Sequence, residues 1–367
     1  MSGRVTDPEV QTTVRVLLAA LLVFCVWAPN PAYSQRLRMQ PPGTVHVIGP
    51  DGAVAEALWR AVLGPGEGRE WQARYTAAAS TAQALRSLAA AREPAPADLV
   101  LLDPVGADQG FARGLIAGLP RHALAALATQ LPLARAASDL CAAIAFDALA
   151  LTYLPDSTRP APRGLDALAE APLADRLALP LPSELLGIYL VGLLAIEATG
   201  DWRRADAGLG RLRALRGAAA DPGTSLSVAS RPDRPPGLAL AWNSSAQLLR
   251  EAAPADARQG VVIPREGTML RPLLLCLSAN SPNLRGAFAV IEAALGPEAQ
   301  LVLATSLFVA PASEGIVLPA SIRARVPSLE DGAAHLLEPD RPYRARLRGG
   351  ISERAADRSD AAPVGLN

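Results

Sequence analysis

The chain contains 367 residues, half of them hydrophobic, and its 35 basic and 35 acidic side chains balance to a formal net charge of zero. This length exceeds what one small core needs and fits two units of ordinary domain size. A chain without net charge offers no electrostatic basis for binding nucleic acid or an anionic membrane surface. We therefore expect neither of them as a partner.

The first 34 residues have the pattern of an export signal. Arg15 precedes an unbroken apolar run at residues 16–27, and Ala32 and Ser34 are small residues at the two positions that a signal peptidase recognises. The run has 12 residues, whereas a membrane-spanning helix needs about 20. We predict cleavage after Ser34 and a periplasmic mature protein, with an uncleaved anchor as the alternative.

The chain that follows predicts alternating strands and helices. The predicted elements are strands at 45–49, 71–76 and 99–102 and helices at 53–63 and 81–91. This β-α-β-α-β order predicts a parallel sheet with helices on both faces. Ligands of such sheets bind beyond the carboxyl ends of the strands. Asp51 and Asp103 follow the first and third strands, so both belong to that edge.

The middle of the chain begins with Ala- and Leu-rich helical pieces at residues 111–133. A long apolar run at 142–153 then carries a single charge, Asp147. Beyond a proline-containing connector, the pattern predicts a strand at 176–179, a helix at 184–198 capped by Ser183, and a helix at 204–215. Residues 217–236 have no periodicity and much Pro, Gly and Ser, which predicts a surface loop.

The last part of the chain starts with a strand at 237–242 that ends in Trp242. A helix follows at once, with an apolar set that includes Leu248 and Leu249. The remaining predicted elements are a short strand at 261–263, an apolar run at 273–277, a helix at 284–295 and a last helix that starts near 299.

Cys141 and Cys276 are the cysteines that remain after the predicted cleavage. Export would permit a disulfide between them. Both lie in apolar, strand-like runs, where a buried free thiol is the commoner state. The sequence therefore favours free thiols over a bridge.

Four segments resemble a known family. They are G-L-A-L-A-W-N-S-S-A at 237–246, I-P-R-E-G-T-M at 263–269, A-N-S-P-N at 279–283 and A-L-G-P-E-A-Q at 294–300. Together they resemble the solute-binding protein of bacterial ABC importers, of the periplasmic type 2 fold, and the spermidine/putrescine-binding branch in particular. The resemblance implies an α/β fold with two lobes, each with a central mixed sheet flanked by helices, joined by a two-strand hinge.

The resemblance also implies a division of the chain and a mode of action. The division is a signal peptide at 1–34, the first lobe at 35–150, the second lobe at 151–279, a return to the first lobe at 280–348, and a disordered tail at 349–367. A small-molecule solute would bind between the lobes of a monomer, and the closed form would dock on a membrane permease. We expect no cofactor and no enzymatic activity, since the sequence has no nucleophile–base pair, phosphate loop or metal-ligand spacing.

A polyamine site needs carboxylates for the ammonium groups and aromatic faces for cation–π contact. Trp242 matches the tryptophan that packs against the ligand in the putrescine branch, or else it is a core residue at a strand end. Glu184 matches a carboxylate of the family, or else it is a first-turn residue favoured by the helix dipole. Asp103 and Asp51 are further candidates, and the alternative for each is an ordinary turn residue.

Other positions depart from the polyamine-binding pattern. Ser245 stands where the putrescine branch has an acidic residue, and Arg271 stands in a segment that usually carries an aromatic and an Asp. Phe308 stands where a ligand-stacking Tyr is expected. If Arg271 faces the cleft, it favours a small anion or zwitterion, such as a phosphonate, a carboxylate, thiamine or a ferric chelate; otherwise it is a solvated loop residue. A further alternative is a sensor or partner-binding subunit that no longer serves transport.

Overall fold

The structure is a computed structural model. It describes residues 43–65, 70–90, 97–155, 160–169, 177–180, 185–218, 237–264, 267–329 and 334–336. Several expectations fall on residues outside these ranges: the export signal, Ser183 and Glu184, most of the 217–236 loop, and the C-terminal tail.

The first sheet begins with three parallel strands in the order β2-β1-β3. Their bounds are Thr44–Pro50 (β1), Gln72–Ala78 (β2) and Leu99–Leu102 (β3). The helices between and after them are α1 (Ala53–Leu58, continued as a π-helix over Trp59–Leu63), α2 (Thr81–Ala90) and α3 (Pro104–Ala112). The parallel β-α-β-α-β order is confirmed.

Helix α3 differs from the prediction, which placed a turn at Asp103 and Pro104. Asp103 caps the helix by accepting from the amide of Gly106, and Pro104 is its first residue. Proline fits this position because the first helical amides have no partner inside the helix. The predicted helical pieces at 111–133 are the end of α3, the short strand β4 (Ile116–Ala117) and two 3₁₀ turns.

Two long antiparallel strands connect the lobes: β5 (Ala142–Tyr153) and β9 (Thr268–Ser278). Strand β9 lies between β3 and the first half of β5. The second half of β5 instead pairs with β7 (Leu238–Trp242) and with β8 (Gly260–Val262). The chain therefore crosses between its two lobes on β5 and returns on β9, as the two-strand hinge requires.

The second sheet is completed by β6 (Leu177–Ala178), which runs parallel to β7. Its helices are α5 (Leu185–Thr199), α6 (Ala205–Ala218) and α7 (Asn243–Ala252). Helix α5 is apolar on all sides and buried from Leu186 to Ala195, which places it in the core of this lobe. In α7, Leu248 packs against a core as predicted, but Leu249 is 63% exposed.

The remaining elements lie before β5 and after β9. Helix α4 (Pro132–Ala137) precedes β5, and the elements after β9 are α8 (Leu284–Leu295), α9 (Pro297–Leu307), β10 (Ala310–Pro311), α10 (Ala320–Arg323) and β11 (Ala334–Leu336). Within the described ranges no single helix is both long and apolar enough to cross a membrane. Helices α8 and α9 reach that length and composition only as a pair, which is bent by 66° at its junction.

The A-N-S-P-N segment is fixed by the buried carboxylate of Asp98. This carboxylate accepts from the Ser281 hydroxyl at 2.7 Å, from the Asn283 amide at 2.9 Å and from the His46 amide at 2.9 Å. Asn283 in turn caps α8 through the amide of Gly286. The motif therefore joins β1, the start of β3 and α8, which is a structural role.

The expectation of free thiols is wrong, because Cys141 and Cys276 form a disulfide with a Cα–Cα distance of 4.5 Å. The register that places Ala142 opposite Leu275 brings the two cysteines face to face across β5 and β9. A Cα separation this short is typical of directly opposed residues in an antiparallel pair. The sequence indicates the two strands but not their register, so it could not show this pairing.

Candidate functional site

The carboxyl ends of the parallel strands in the two lobes face one another at the crossing. In the first lobe, Leu102 at the end of β3 lies opposite Leu274 of β9. Arg271 is three residues beyond that point, which is about 10 Å along the strand. In the second lobe, β7 ends at Trp242, opposite Leu149 of β5. Because ligands of open α/β sheets bind beyond the carboxyl ends of strands, this crossing is the expected place for a site.

Four residues meet at this place, and we call Asp147, Trp242, Ser244 and Arg271 the crossing cluster. Asp147 is fully buried and lies directly across the strands from Arg271. One carboxylate oxygen accepts from Arg271 Nη2 at 2.7 Å and from Ser244 Oγ at 2.6 Å. The other accepts from the backbone amides of Ser244 at 3.0 Å and of Ala148 at 2.9 Å. The buried charge of Asp147 is therefore both paired and hydrogen-bonded, as a buried charge must be.

The Arg271 guanidinium also covers the indole of Trp242. Its central carbon lies 4.1 Å from the centroid of the Trp242 ring, which is a cation–π geometry. The ring of Tyr189, from α5, meets Trp242 edge-on at 5.2 Å and fixes the indole from another side. The Arg271 side chain keeps 24% exposure. Within the described residues its Nε makes no hydrogen bond.

A second group adjoins the cluster through Asn243, the residue after Trp242. The Asn243 side-chain amide donates to the carbonyls of Phe308 and Arg325, at 2.8 Å each. The Arg325 guanidinium lies 4.0 Å from the centroid of the Phe308 ring. Phe308 ends α9 in the left-handed region at φ 56°, which is unusual for a residue with a bulky side chain. Arg325 also donates from Nε to Gln247 Oε1 at 2.8 Å.

The structure brings three of the predicted site residues to this region: Trp242, Arg271 and Phe308. Ser245 is the exposed third residue of α7, next to Ser244. The donors at the start of α7 are used by the protein itself, because the Ser244 amide and hydroxyl both donate to Asp147. Glu184 lies outside the described residues.

Asp51 and Asp103 lie at the carboxyl edge of the first sheet, as predicted, but their oxygens have local partners. Asp103 accepts from the Thr81 hydroxyl at 2.7 Å in addition to capping α3. Asp51 accepts from the next amide in the chain at 2.7 Å. Burial raises the pKa of the nearby Tyr75 phenol, and the charge of Asp51 adds to that rise. Asp103 thus caps a helix, which is neither the turn role that was its alternative nor a test of its role as a ligand contact.

Sequence reasoning missed the roles of Asp147 and Arg325. Asp147 had a detectable signal, because it is the only charge in the apolar run that forms β5. A charge inside such a run requires a partner, so it could have been proposed as a site residue. Arg325 had no such signal, since it lies in an irregular stretch after α10.

A cavity of about 710 Å³ lies elsewhere, at the edge of the first lobe beyond β10. Leu133, Ile316 and Val317 are among the apolar side chains that line it, with Glu314 and Arg323 as its charged residues. None of the candidate residues that the structure describes is in its lining. Since the oriented charges and the aromatic ring are at the crossing, we place the candidate site there and not in this cavity.

Several solved protein structures have a similar arrangement of helices and strands. An ABC-transporter substrate-binding protein from Bradyrhizobium japonicum USDA 110 is 18% identical, with 86% of this chain and 99% of that chain covered at a TM-score of 0.71. The periplasmic binding protein AfuA from Actinobacillus pleuropneumoniae, with fructose-6-phosphate bound, is 12% identical, with 85% and 98% covered at 0.67. The spermidine/putrescine substrate-binding protein PotD from Streptococcus pneumoniae is 13% identical, with 85% and 98% covered at 0.65.

No protein-family model matches the chain, and no curated protein matches it in sequence. At identities this low, the similarity establishes the fold. The chain has the two-lobed type 2 fold of the solute-binding proteins of ABC transporters.

Proposed function

We propose that this protein is the solute-binding component of an ABC importer, which captures a small molecule between its lobes and delivers it to a membrane permease. The observation that carries the proposal is the position of the crossing cluster between the carboxyl edges of both sheets. The similarity to solute-binding and substrate-binding proteins over 85–86% of the chain supports it. Nothing in this function requires catalysis or a cofactor.

The rest of the proposal follows from this role. The mature protein would be periplasmic after removal of residues 1–34, and it would act as a monomer. The first lobe would be formed by residues 35–150 and 280–348, and the second by residues 151–279. Closure of the lobes about β5 and β9 would bury the solute, and preferential affinity for the closed form would shift the population towards it.

The class of solute has two candidates. The first is a polyamine, which rests on the sequence resemblance, on Trp242 and on the similarity to the spermidine/putrescine-binding protein. The second is a small anion or zwitterion, which is favoured by the contact of Arg271 with both Asp147 and Trp242. The similarity to a protein with fructose-6-phosphate bound fits the second candidate.

A thermal-shift screen of the mature protein, from residue 35 onwards, tests the proposed function. The panel contains polyamines, amino acids, dicarboxylates, phosphonates and sugar phosphates. A true solute at 100 times its dissociation constant adds about 2.7 kcal/mol to the free energy of unfolding, which raises the melting temperature by several degrees. We expect this shift to be lost in Trp242→Ala.

Trp59→Ala is the matched control, because Trp59 is a half-exposed tryptophan on α1. This variant should keep the shift. A shift that survives Trp242→Ala would move the binding site away from the crossing cluster. A panel without any response, together with capture of a protein partner by the same material, would favour the sensor or partner-binding alternative.

A further inference from the structure

We propose that Arg271 is a resident cation that fills the ammonium subsite of the crossing cluster. The site would thus exclude polyamines and accept solutes that carry an acid group. This inference rests on the proposed function, and it names the class of solute and the residue that selects it. A site for an ammonium group needs a carboxylate and the face of an aromatic ring.

Both parts of an ammonium site are present, and Arg271 uses both. Its Nη2 lies 2.7 Å from the Asp147 carboxylate, while its central carbon lies 4.1 Å from the centre of the Trp242 ring. A ligand cation at this place would have to displace the guanidinium from a fully buried carboxylate. Separating such a pair leaves an uncompensated buried charge, which is strongly unfavourable.

The Asp147 carboxylate has no capacity for another donor. An ionised carboxylate has about four acceptor positions. Four donors already point at Asp147, from Arg271 Nη2, the Ser244 hydroxyl and the amides of Ser244 and Ala148. A second cation would therefore find no free acceptor on this residue.

An arginine also covers the neighbouring aromatic ring, that of Phe308. The guanidinium of Arg325 lies 4.0 Å from the centroid of the Phe308 ring, and Arg325 forms an ion pair with Glu251 at 2.7 Å. The two aromatic residues that the sequence suggested for stacking on a polyamine thus both carry an arginine of the protein. Amines are therefore excluded from stacking on Trp242 and on Phe308 alike.

Part of the Arg271 side chain remains exposed and can meet a solute. A guanidinium has five N–H donors, and it pairs with planar acid groups in a bidentate geometry. Within the described part of the chain, Nη2 binds Asp147, and Nε is buried without a hydrogen-bond partner, while the side chain as a whole keeps 24% exposure. An acid would therefore meet the exposed part of the guanidinium and not Nε. Because the Asp147–Arg271 pair has no net charge, an acid would be recognised by these directed donors and not by long-range attraction.

The first test compares four-carbon solutes that differ only in their end groups: 1,4-diaminobutane, 4-aminobutanoate and butanedioate. Thermal shift and calorimetric titration are measured on the full mature protein, together with the best solute from the broader screen. We expect no response to the diamine at any concentration up to tenfold above that which saturates an acid-bearing solute. Binding of the diamine by the wild type, or a best solute that has no acid group, would overturn the inference.

The second test removes the resident cation. Arg271→Ala leaves the Asp147 carboxylate uncompensated beside a bare Trp242 ring, so we expect its melting temperature to fall by roughly 5 °C or more. Methylguanidinium or 1,4-diaminobutane in the millimolar range should then bind and recover part of this loss, while neither should stabilise the wild type. Arg271→Gln serves the same test if Arg271→Ala is not recovered folded.

The matched control is the double variant Asp147→Asn with Arg271→Ala, which has neither charge. It should be more stable than Arg271→Ala alone. Methylguanidinium should not raise its melting temperature, because no carboxylate is left to attract this cation. A single variant that is not stabilised by either cation, or a double variant that responds equally, would contradict the resident-cation role. These cation responses do not depend on a natural solute, so they separate the inference from a failure of the proposed function.

Discussion

Two buried aspartates, Asp147 and Asp98, hold together segments that are far apart in the sequence. Asp147 collects donors from β5, β9 and α7, and Asp98 collects donors from β1 and from the turn before α8. Each is buried, and each would be costly if its donors were removed. In this chain the carboxylates of Asp147 and Asp98 thus connect separate segments, and that of Asp103 connects α2 with the start of α3.

A pH-dependent stability is expected from Tyr75. Its hydroxyl donates to the Pro50 carbonyl at 2.6 Å, and burial, with the Asp51 carboxylate, raises its pKa above the ordinary value. The unfolded chain releases this proton near pH 10, whereas the folded protein retains it to higher pH. The stabilisation by Tyr75 is thus complete below about pH 10 and is lost as the pH rises towards the folded-state pKa.

Urea unfolding of the wild type and of Tyr75→Phe between pH 8 and pH 11 would measure this effect. The variant should be less stable at pH 8 by about 1 kcal/mol, because it lacks the hydrogen bond to Pro50. Its stability should decline less than that of the wild type at alkaline pH. Equal alkaline slopes for the two proteins would show that Tyr75 does not hold its proton in this way.

At the scale of elements, the Cys141–Cys276 disulfide joins the two crossing strands on the side of the first lobe. The two cysteines are 135 residues apart in the sequence, and the loop that they close contains the proposed second lobe except for its last few residues. Removing the disulfide by Cys141→Ala with Cys276→Ala should lower the free energy of unfolding by about 3–5 kcal/mol, since a loop this long gains much entropy in the unfolded chain.

The comparison is made by urea unfolding with and without a reducing agent. The reducing agent should lower the midpoint of the wild type and leave that of the double variant unchanged. A wild type that is insensitive to full reduction, verified by thiol titration, would mean that the bridge does not contribute to stability.

The elements that the sequence predicted well are those whose boundaries are marked locally. Strand β5 and helix α8 match their predicted bounds, because a long apolar run with a single charge and a capped helix each have clear ends. Strand β9 is longer than the predicted apolar run, because Arg271 and Pro272 interrupt the apolar pattern without ending the strand. Helix α3 was missed because an Asp-Pro pair can end a strand or begin a helix.

Part of the candidate site was also predictable from the sequence. Trp242, Arg271 and Phe308 were identified from the resemblance of their segments to a known family, and the structure brings them to one region. Their partners were not predicted. The contact of Asp147 with Arg271 depends on strand register, and the contact of Arg325 with Phe308 depends on an irregular segment. Whether these residues bind a solute stays a prediction.

At the scale of the whole molecule, Arg325 connects the segment after α10 with helix α7. On the proposed division of the chain, this contact links the two lobes. It comprises the hydrogen bond to Gln247 at 2.8 Å, the ion pair with Glu251 at 2.7 Å and the stacking on Phe308. Since closure changes the distance between the lobes, a contact of this kind biases the equilibrium between the open and closed forms.

Replacing Arg325 with Ala should release this link. We expect a larger radius of gyration in small-angle scattering of the ligand-free protein, and a smaller difference from the wild type once a solute is bound. Arg323→Ala is the control and should leave the radius unchanged, because Arg323 is a nearby arginine, the last residue of α10, that borders the cavity. An unchanged radius in Arg325→Ala would mean that the lobes are held by other contacts.

The position of β9 between β3 and β5 has a consequence for how the chain reaches this structure. Residues 268–278 are synthesised more than a hundred residues after β5 is complete, so the central pairing of the first sheet closes late. Such non-local pairing slows folding. Until then, the apolar strand β3 lacks its partner β9. An unpaired strand edge of this kind can pair with strands of other molecules. The nascent protein is therefore most prone to aggregation just before its second crossing strand emerges.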